Sequence, residues 1–457
     1  MKILLTHGYF LCQDEIEQKI LKPYPPLGLL YVSAYLNEKS ITHQVFDTTF
    51  STIDDWWSNL LKEKPNLIAF YVNLMTKVRV IELINRIKKE PSLTAMKIVL
   101  GGPDLTYNQE NYLAAGADYL IVGEGEVTML ELVNTLSDNG DISNITGLTY
   151  LENNSIKKNP PRAKLKDLDL IPNPNRAAVP IQKYLDCWKN AHGQSALNVS
   201  TQRGCPYTCK WCSTAVYGQS YRRKSPEKVV EELLLLKETY QPDTFWFVDD
   251  VFTVSHKWLR GFNDAIKATG LEIQYECITR AERMNDEVIQ LLKESGCFRV
   301  WIGAESGSQK IIDAMDRRVD VNQVRDQLIA TKKAGIETGT FIMVGYPGET
   351  YEDILLTAEY LEKALPNHFT ITKSYPIKGT QLYTEIESKI TVKPDWNTTT
   401  DRQINFERKY SDAFYRYAIR YIYNRVNLKK QKLNNSVKIK VRIKLFISSI
   451  MLRILAK

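Results

Sequence analysis

Short apolar strands alternate with amphipathic helices in two separate stretches of the chain, and this alternation limits the fold more than any other feature. The first series runs through "KILLT", "HQVFD", "NLIAFYV", "KIVLGG" and "ADYLIVGEGE", with helical segments such as "GLLYVSAYLNEK" and "VRVIELINRIKKE" between them. Such repetition predicts an α/β fold with a doubly wound parallel sheet, whose ligand crevice lies at the carboxyl ends of the strands. Gly101, Gly102 and Pro103 fall at one such end, and Gly123 to Glu126 at another. Glycines there serve tight turns or let a ligand approach the backbone. The second series comprises "ALNVSTQRG", "TFWFVD", "EIQYECI", "FRVWIG", "TGTFIMV" and "HFTITKS". Its first long helix starts after Ser225, a predicted N-cap, with Pro226 in the first helical position. Six strands with five helical segments between them predict a partial (β/α)6 barrel, which collects its active site at the strand carboxyl ends. Between the two series, "KKNPPRAKLKDLDLIPNPNRAAVP" holds five prolines and reads as an extended connector. The expected division is therefore 1–140 for the first domain, 141–195 for the connector, 196–390 for the barrel and 391–457 for a basic C-terminal region.

With 457 residues, 44% of them hydrophobic, the chain can bury at least two sizeable cores. No apolar run approaches a membrane span, and Thr6, His7 and Gly8 interrupt the N-terminal apolar stretch before a signal-peptide core forms. A cytoplasmic protein is expected. The net charge of +7 is uneven: from Arg416 onward there are twelve Lys or Arg and no acids, which leaves 48 basic against 53 acidic residues elsewhere. That distribution opposes a whole-surface nucleic-acid binder and predicts a local role for the tail. In "VKIKVRIKLFISSIMLRILAK", Lys438, Lys440, Arg442, Lys444 and Arg453 are interspersed with Ile, Val, Leu and Phe. Peripheral contact with the inner face of a membrane is one expectation, and packing of the apolar positions on the barrel is the other.

"GCPYTCKWC" places Cys205, Cys209 and Cys212 within nine positions, just past the first strand of the second series, while Cys12, Cys187, Cys277 and Cys297 are scattered. Seven cysteines in a chain of this length point to metal or redox chemistry rather than a disulfide scaffold. Structural zinc closes four ligands, and neither His192 nor His256 has a finger-like spacing to complete the set. A 4Fe-4S cluster held by three thiolates instead keeps one iron open.

The Cys-x3-Cys-x2-Cys loop, with Trp211 before its third cysteine and six strands behind it, resembles the radical S-adenosylmethionine enzymes. The resemblance implies a 4Fe-4S cluster on Cys205, Cys209 and Cys212 whose open iron takes the amino and carboxylate groups of S-adenosylmethionine. Reduced flavodoxin or ferredoxin would supply the electron that releases a 5'-deoxyadenosyl radical. It further implies that Glu305 and Ser306 of "WIGAESGS" contact the ribose or amino group, that "IMVGYPGET" lies on the adenine side, and that Asp249 and Asp250 of "FVDD" hold the methionine end. Arg280 is expected either to pair with the methionine carboxylate or to form an ordinary ion pair. The N-terminal half, through "YPPLGLLYVSAYL", "LGGPD" and "VGEGE", looks like the Rossmann-like cobalamin-binding domain of one subgroup. By that likeness Leu74, with 26 residues between it and Gly101, stands in a Ser-x-Leu pattern without its serine, and Gly101, Gly102, Gly123 and Glu124 line the corrinoid. No Asp-x-His-x-x-Gly occurs in the first 45 residues, so cobalt is expected to lack a histidine, and His7 to close a strand. The segment 1–140 is expected to bind corrinoid on its own.

One N-terminal cysteine and none after Cys297 exclude the relatives that need additional clusters. The expected activity is radical formation on a substrate carbon followed by methylation from methylcobalamin, which uses two S-adenosylmethionines, or by cyclisation or rearrangement. The substrate is expected to be a small or lipid-like molecule. The reading from a different class is a non-catalytic module with zinc in the cysteine loop and nucleic acid on the tail.

Overall fold

A computed structural model describes residues 1–213 and 216–457. Its internal contacts divide it into one unit of Met1–Pro206, Ser213–Thr244 and Pro394–Gln403, and a second of Tyr207–Cys212, Phe245–Lys393 and Ile404–Lys457.

In the first unit, β1 (Ile3–His7), β2 (Gln44–Phe46), β3 (Leu67–Tyr71), β4 (Lys97–Gly101) and β5 (Tyr119–Ile121) form a parallel sheet. Near-continuous apolar strands suit a sheet covered on both faces. Period-two geometry divides their side chains: Leu4, Ile68, Phe70, Ile98 and Leu100 enter one core, while Ile3, Leu5, Leu67, Ala69 and Val99 enter the other. The sheet continues with an antiparallel hairpin, β6 (Leu148–Glu152) and β7 (Ser155–Lys158), to give the order β2-β1-β3-β4-β5-β6-β7. This corrects the expected connector. Residues 141–195 contain that hairpin and a helix, Ile181–His192, whose Tyr184 hydroxyl donates to Asp47 at 2.7 Å and whose Trp188 indole donates to the Pro23 carbonyl at 2.8 Å. The prolines mark the turns between these pieces.

The second series forms a six-stranded parallel sheet from β8 (Ala196–Val199), β11 (Thr244–Phe247), β12 (Tyr275–Thr279), β13 (Cys297–Ile302), β14 (Glu337–Val344) and β15 (His368–Lys373). Its order is β15-β14-β13-β12-β11-β8, with two open edges, as an incomplete barrel requires. Between β8 and β11 lie the short strands β9 (Gln202–Arg203) and β10 (Arg222–Arg223), paired antiparallel. Ser225 caps the helix Pro226–Tyr240 by accepting the Lys228 amide at 3.2 Å, as expected from the sequence. The region 391–457 ends in two packed helices, Asp412–Leu433 and Ile439–Leu455.

Candidate functional site

In the second unit the segment Tyr207–Cys212 is pinned by its backbone. The Lys210 amide donates to the Met315 carbonyl at 3.2 Å, the Leu382 amide donates to the Lys210 carbonyl at 2.8 Å, and the Cys212 amide turns back to the Cys209 carbonyl at 3.1 Å. Trp211 packs against the cluster of Ile311, Met315, Tyr346, Leu382, Ile386 and Phe406, which anchors the loop from below. Arg280, buried just past β12, donates from Nη1 to Cys209 Sγ at 3.2 Å. It also bonds Glu282 and the Arg317 carbonyl, and its guanidinium lies 3.9 Å from the Tyr207 ring centroid. Glu282 is its carboxylate partner within the protein. Burial works against its charge, but Glu282 and then Cys209 outweigh that effect and raise its pKa. Arg317, which the sequence reading missed, brings Nη1 to 3.9 Å from the same sulfur. Two guanidinium groups thus present positive charge to whatever anionic group Cys209 holds.

Glu305 adjoins this cluster, its Oε1 lying 3.9 Å from Arg317 Nε. Its backbone has φ +65°, the left-handed region that side chains other than glycine rarely adopt. Bonds to β14 impose it: the Glu305 amide donates to Phe341 at 2.9 Å, and the Met343 amide donates to Glu305 at 2.8 Å. Burial raises the carboxyl's pKa, while Arg317 and Arg280 pull it back. A Cβ on Gly303 would stand 2.7 Å from both Arg317 Nη2 and Glu305 Oε1, so a larger residue there would displace these two side-chain ends. Ser306, by contrast, is buried, with its hydroxyl 3.3 Å from Thr357 Oγ1 and accepting the Ser308 amide at 3.1 Å. Past β11, Asp249 is buried and Asp250 exposed. Desolvation and then Asp249 nevertheless raise the pKa of the Asp250 carboxyl. Neither aspartate caps the following helix, because Ser255 does.

One face of this sheet carries residues that no motif marked. Register aligns Trp246, Glu276, Arg299 and Glu337 in one row and Ile278, Trp301 and Gly339 in the next. Trp301 stacks on Phe341 at 5.0 Å and donates its indole N–H to Glu276 at 3.0 Å. The opposite positions Cys277, Val300, Ile302, Thr338 and Ile342 are buried. The available signal was Arg299 and Trp301 two residues apart in an otherwise apolar strand.

In "GYPGET", Glu349 accepts the Gly345 amide at 2.6 Å, while its other carboxyl oxygen is buried without a hydrogen-bond partner. Burial pushes its pKa up to about 8. The folded protein therefore keeps a proton that the unfolded chain loses above its ordinary value of 4.5. The stability contributed by this group is complete below that value and is lost as pH rises towards 8, by roughly 3 kcal/mol at pH 7. Glu349→Gln should flatten this slope: melting curves at pH 5 should match wild type, and at pH 8 the variant should melt higher.

In the first unit, Cys205 forms a lone backbone bridge with Gln219, and Gly204 before it has φ +84°, where a Cβ would meet Ser220 Oγ at 2.4 Å. At the end of β4, Gly102 has φ +123° and would place a Cβ 2.2 Å from the Val72 carbonyl oxygen. A Cβ on Gly101 or Gly123 would meet nothing within 4 Å. Leu74 is half-buried in the turn after β3. Glu124 is engaged internally: it accepts the Leu165 amide at 2.8 Å, Arg203 at 3.2 Å and Arg222 at 2.7 Å. Buried His7 closes β1 as expected, with Nε2 2.9 Å from Asp47 Oδ1 and Nδ1 2.9 Å from Thr48 Oγ1.

These residues fit the implied groups by their chemistry. The cysteine loop offers three thiols, and that of Cys209 faces two guanidinium groups. Among the described residues no three His, Cys, Asp or Glu side chains stand gathered as a ready-made metal site, so the fit lies in the donor set and its charge. The strand ends at Gly101 and Gly123 leave the backbone open to approach, since a Cβ there would meet nothing within 4 Å.

Comparison with known proteins gives a match to the radical SAM superfamily over residues 199–361 and to the B12 binding domain over 18–133. An uncharacterized methyltransferase of Pyrococcus horikoshii is 31% identical over 413 residues, 88% of this chain and 86% of that one. The anaerobic magnesium-protoporphyrin IX monomethyl ester cyclase of Rubrivivax gelatinosus is 24% identical over 407 residues, 86% of this chain and 71% of that one. The solved structure of the cobalamin-dependent S-adenosylmethionine radical enzyme OxsB with aqua-cobalamin shares the fold, with TM-score 0.78, 16% identity, and coverage of 98% of this chain and 72% of that one. Nothing in these matches supports the zinc and nucleic-acid reading. The two matched domains and a relative similar along most of both chains show that this chain belongs to the cobalamin-dependent radical S-adenosylmethionine enzymes, which work with a 4Fe-4S cluster, S-adenosylmethionine and cobalamin.

Proposed function

We propose that the chain is a C-methyltransferase of this family. It cleaves S-adenosylmethionine reductively, abstracts hydrogen from a carbon of a small or lipid-like substrate, and methylates that carbon from methylcobalamin. Radical cyclisation is the competing outcome, since both begin with the same abstraction. The observation that carries the reading is the Arg280 guanidinium against Cys209 Sγ, with Arg317 beside it. Cys205, Cys209 and Cys212 hold the cluster, with Trp211 fixing the loop. Glu305 contacts S-adenosylmethionine, and Ser306 supports that turn. Asp249 and Asp250 receive the methionine end. Leu74, Gly101, Gly102 and Gly123 border the corrinoid, and Glu124 fixes the adjoining backbone through Leu165. The engaged nitrogens of His7 support a cobalt without histidine. Reduced flavodoxin or ferredoxin supplies the electron. The enzyme works in the cytoplasm, with its tail against the inner face of a membrane.

Anaerobic reconstitution of the full chain tests this reading. The expected protein is brown, holds about four irons, forms 5'-deoxyadenosine under reduction, and moves labelled methyl from S-adenosylmethionine to bound reduced cobalamin. A colourless protein holding zinc overturns the enzyme reading. Cleavage without methyl transfer to cobalamin overturns methylation in favour of cyclisation.

A further inference from the structure

The C-terminal helix Ile439–Leu455 has two apolar faces, and only one of them is used. Val441, Ser448 and Leu452, spaced seven and four residues apart, are buried on the side that packs against the helix Asp412–Leu433. At 3.6 residues per turn, Ile439, Ile443, Phe446, Ile447, Ile450 and Ile454 fall together on the opposite side. All six are exposed, Ile439 by 75% and Phe446 by 66%. Lys440 and Lys444 border this stripe on one flank, and Arg442 and Arg453 on the other, all four exposed. The turn that sets the helix in place is fixed by Gln431, which accepts the Ser436 amide on its carbonyl and the Lys438 amide on its side chain, both at 3.0 Å.

We infer that this face docks on an anionic lipid bilayer, with the helix lying in the plane of the interface. The six apolar side chains enter the acyl boundary while the flanking lysines and arginines extend their aliphatic stems and reach lipid phosphates. Charge selects this occupant over a second copy of the chain. A twofold pairing of the stripe would bring its cationic borders against one another, and no acid follows Asp412 to offset them. No helix among the described residues is long and apolar enough to cross a membrane, so the contact is peripheral. The inference deepens the membrane contact named above but does not depend on the radical chemistry.

Co-sedimentation of the full chain with phosphatidylcholine vesicles, with and without phosphatidylserine, tests it. Binding is expected only with phosphatidylserine and should weaken as salt rises. Lys440→Gln/Lys444→Gln should bind roughly thirtyfold more weakly, and Phe446→Ser/Ile450→Ser should fail to bind. Both pairs are exposed, so melting temperatures and S-adenosylmethionine cleavage should match wild type. Absence of wild-type binding to phosphatidylserine vesicles overturns the inference, as does equal binding by the variants. A dimer that is lost in Phe446→Ser/Ile450→Ser would assign the face to a second copy instead.

Discussion

Cys209→Ala, reconstituted anaerobically, should form no 5'-deoxyadenosine above the blank while melting close to the wild-type temperature. The loop it belongs to is held by backbone bonds from Lys210 and Leu382 and by the packed Trp211, none of which involves the sulfur. Arg280 keeps Glu282 and the Arg317 carbonyl as partners, so deletion of the thiol leaves no buried charge unpaired. Cys277 supplies the opposite case. It is buried in β12, so Cys277→Ala opens a small cavity and should lower stability by about 1 kcal/mol without touching cleavage. Reductive cleavage at the wild-type rate by Cys209→Ala would sink the assignment of the cluster to this loop.

Adjacent glycines at the end of β4 should respond in opposite ways. Gly102→Ala combines a positive φ with a Cβ 2.2 Å from backbone oxygen, a clash that no side-chain rotation relieves. A loss of roughly 2–4 kcal/mol is expected, read as a lower urea midpoint. A Cβ on Gly101 meets no atom within 4 Å, so Gly101→Leu is expected to fold and to melt close to wild type. Its side chain would occupy the space in which the corrinoid is proposed to lie, and titration with hydroxocobalamin should show binding weakened by a factor of ten or more, on the order of one lost close contact layer. Wild-type affinity in Gly101→Leu would move the corrinoid away from β4.

The strand–helix alternation made both sheets legible, because residues such as Leu4 and Ile3 must face opposite cores once the strands are parallel. The hairpin β6–β7 escaped because its outer strand, "SIKK", is exposed along its length and carries no apolar pattern. Motif spacing singled out the cysteines, and the family resemblance marked Glu305. Spacing was silent on Arg317, twelve residues after Glu305, since nothing local says that a helix and turn return that guanidinium to Cys209. For Ser306 and Glu124 the sequence marked the position but not the partners that occupy their polar atoms. In the tail, mixed basic and apolar residues left the element undefined. Only the helical arc separates the buried set of Val441 and Leu452 from the exposed set of Phe446 and Ile450.

The hairpin also bears on how the first sheet would behave alone. β5 pairs with β6 through Tyr119, Leu120 and Ile121, and Leu148 and Tyr150 complete the core on that side. A fragment ending at residue 140 would leave β5 with a bare row of amide and carbonyl groups above an uncovered apolar patch. Such an edge recruits strands from other molecules. The shortened fragment should therefore self-associate and precipitate on warming, whereas one that keeps β6 and β7 ends in a strand rich in lysine, which discourages further strand addition.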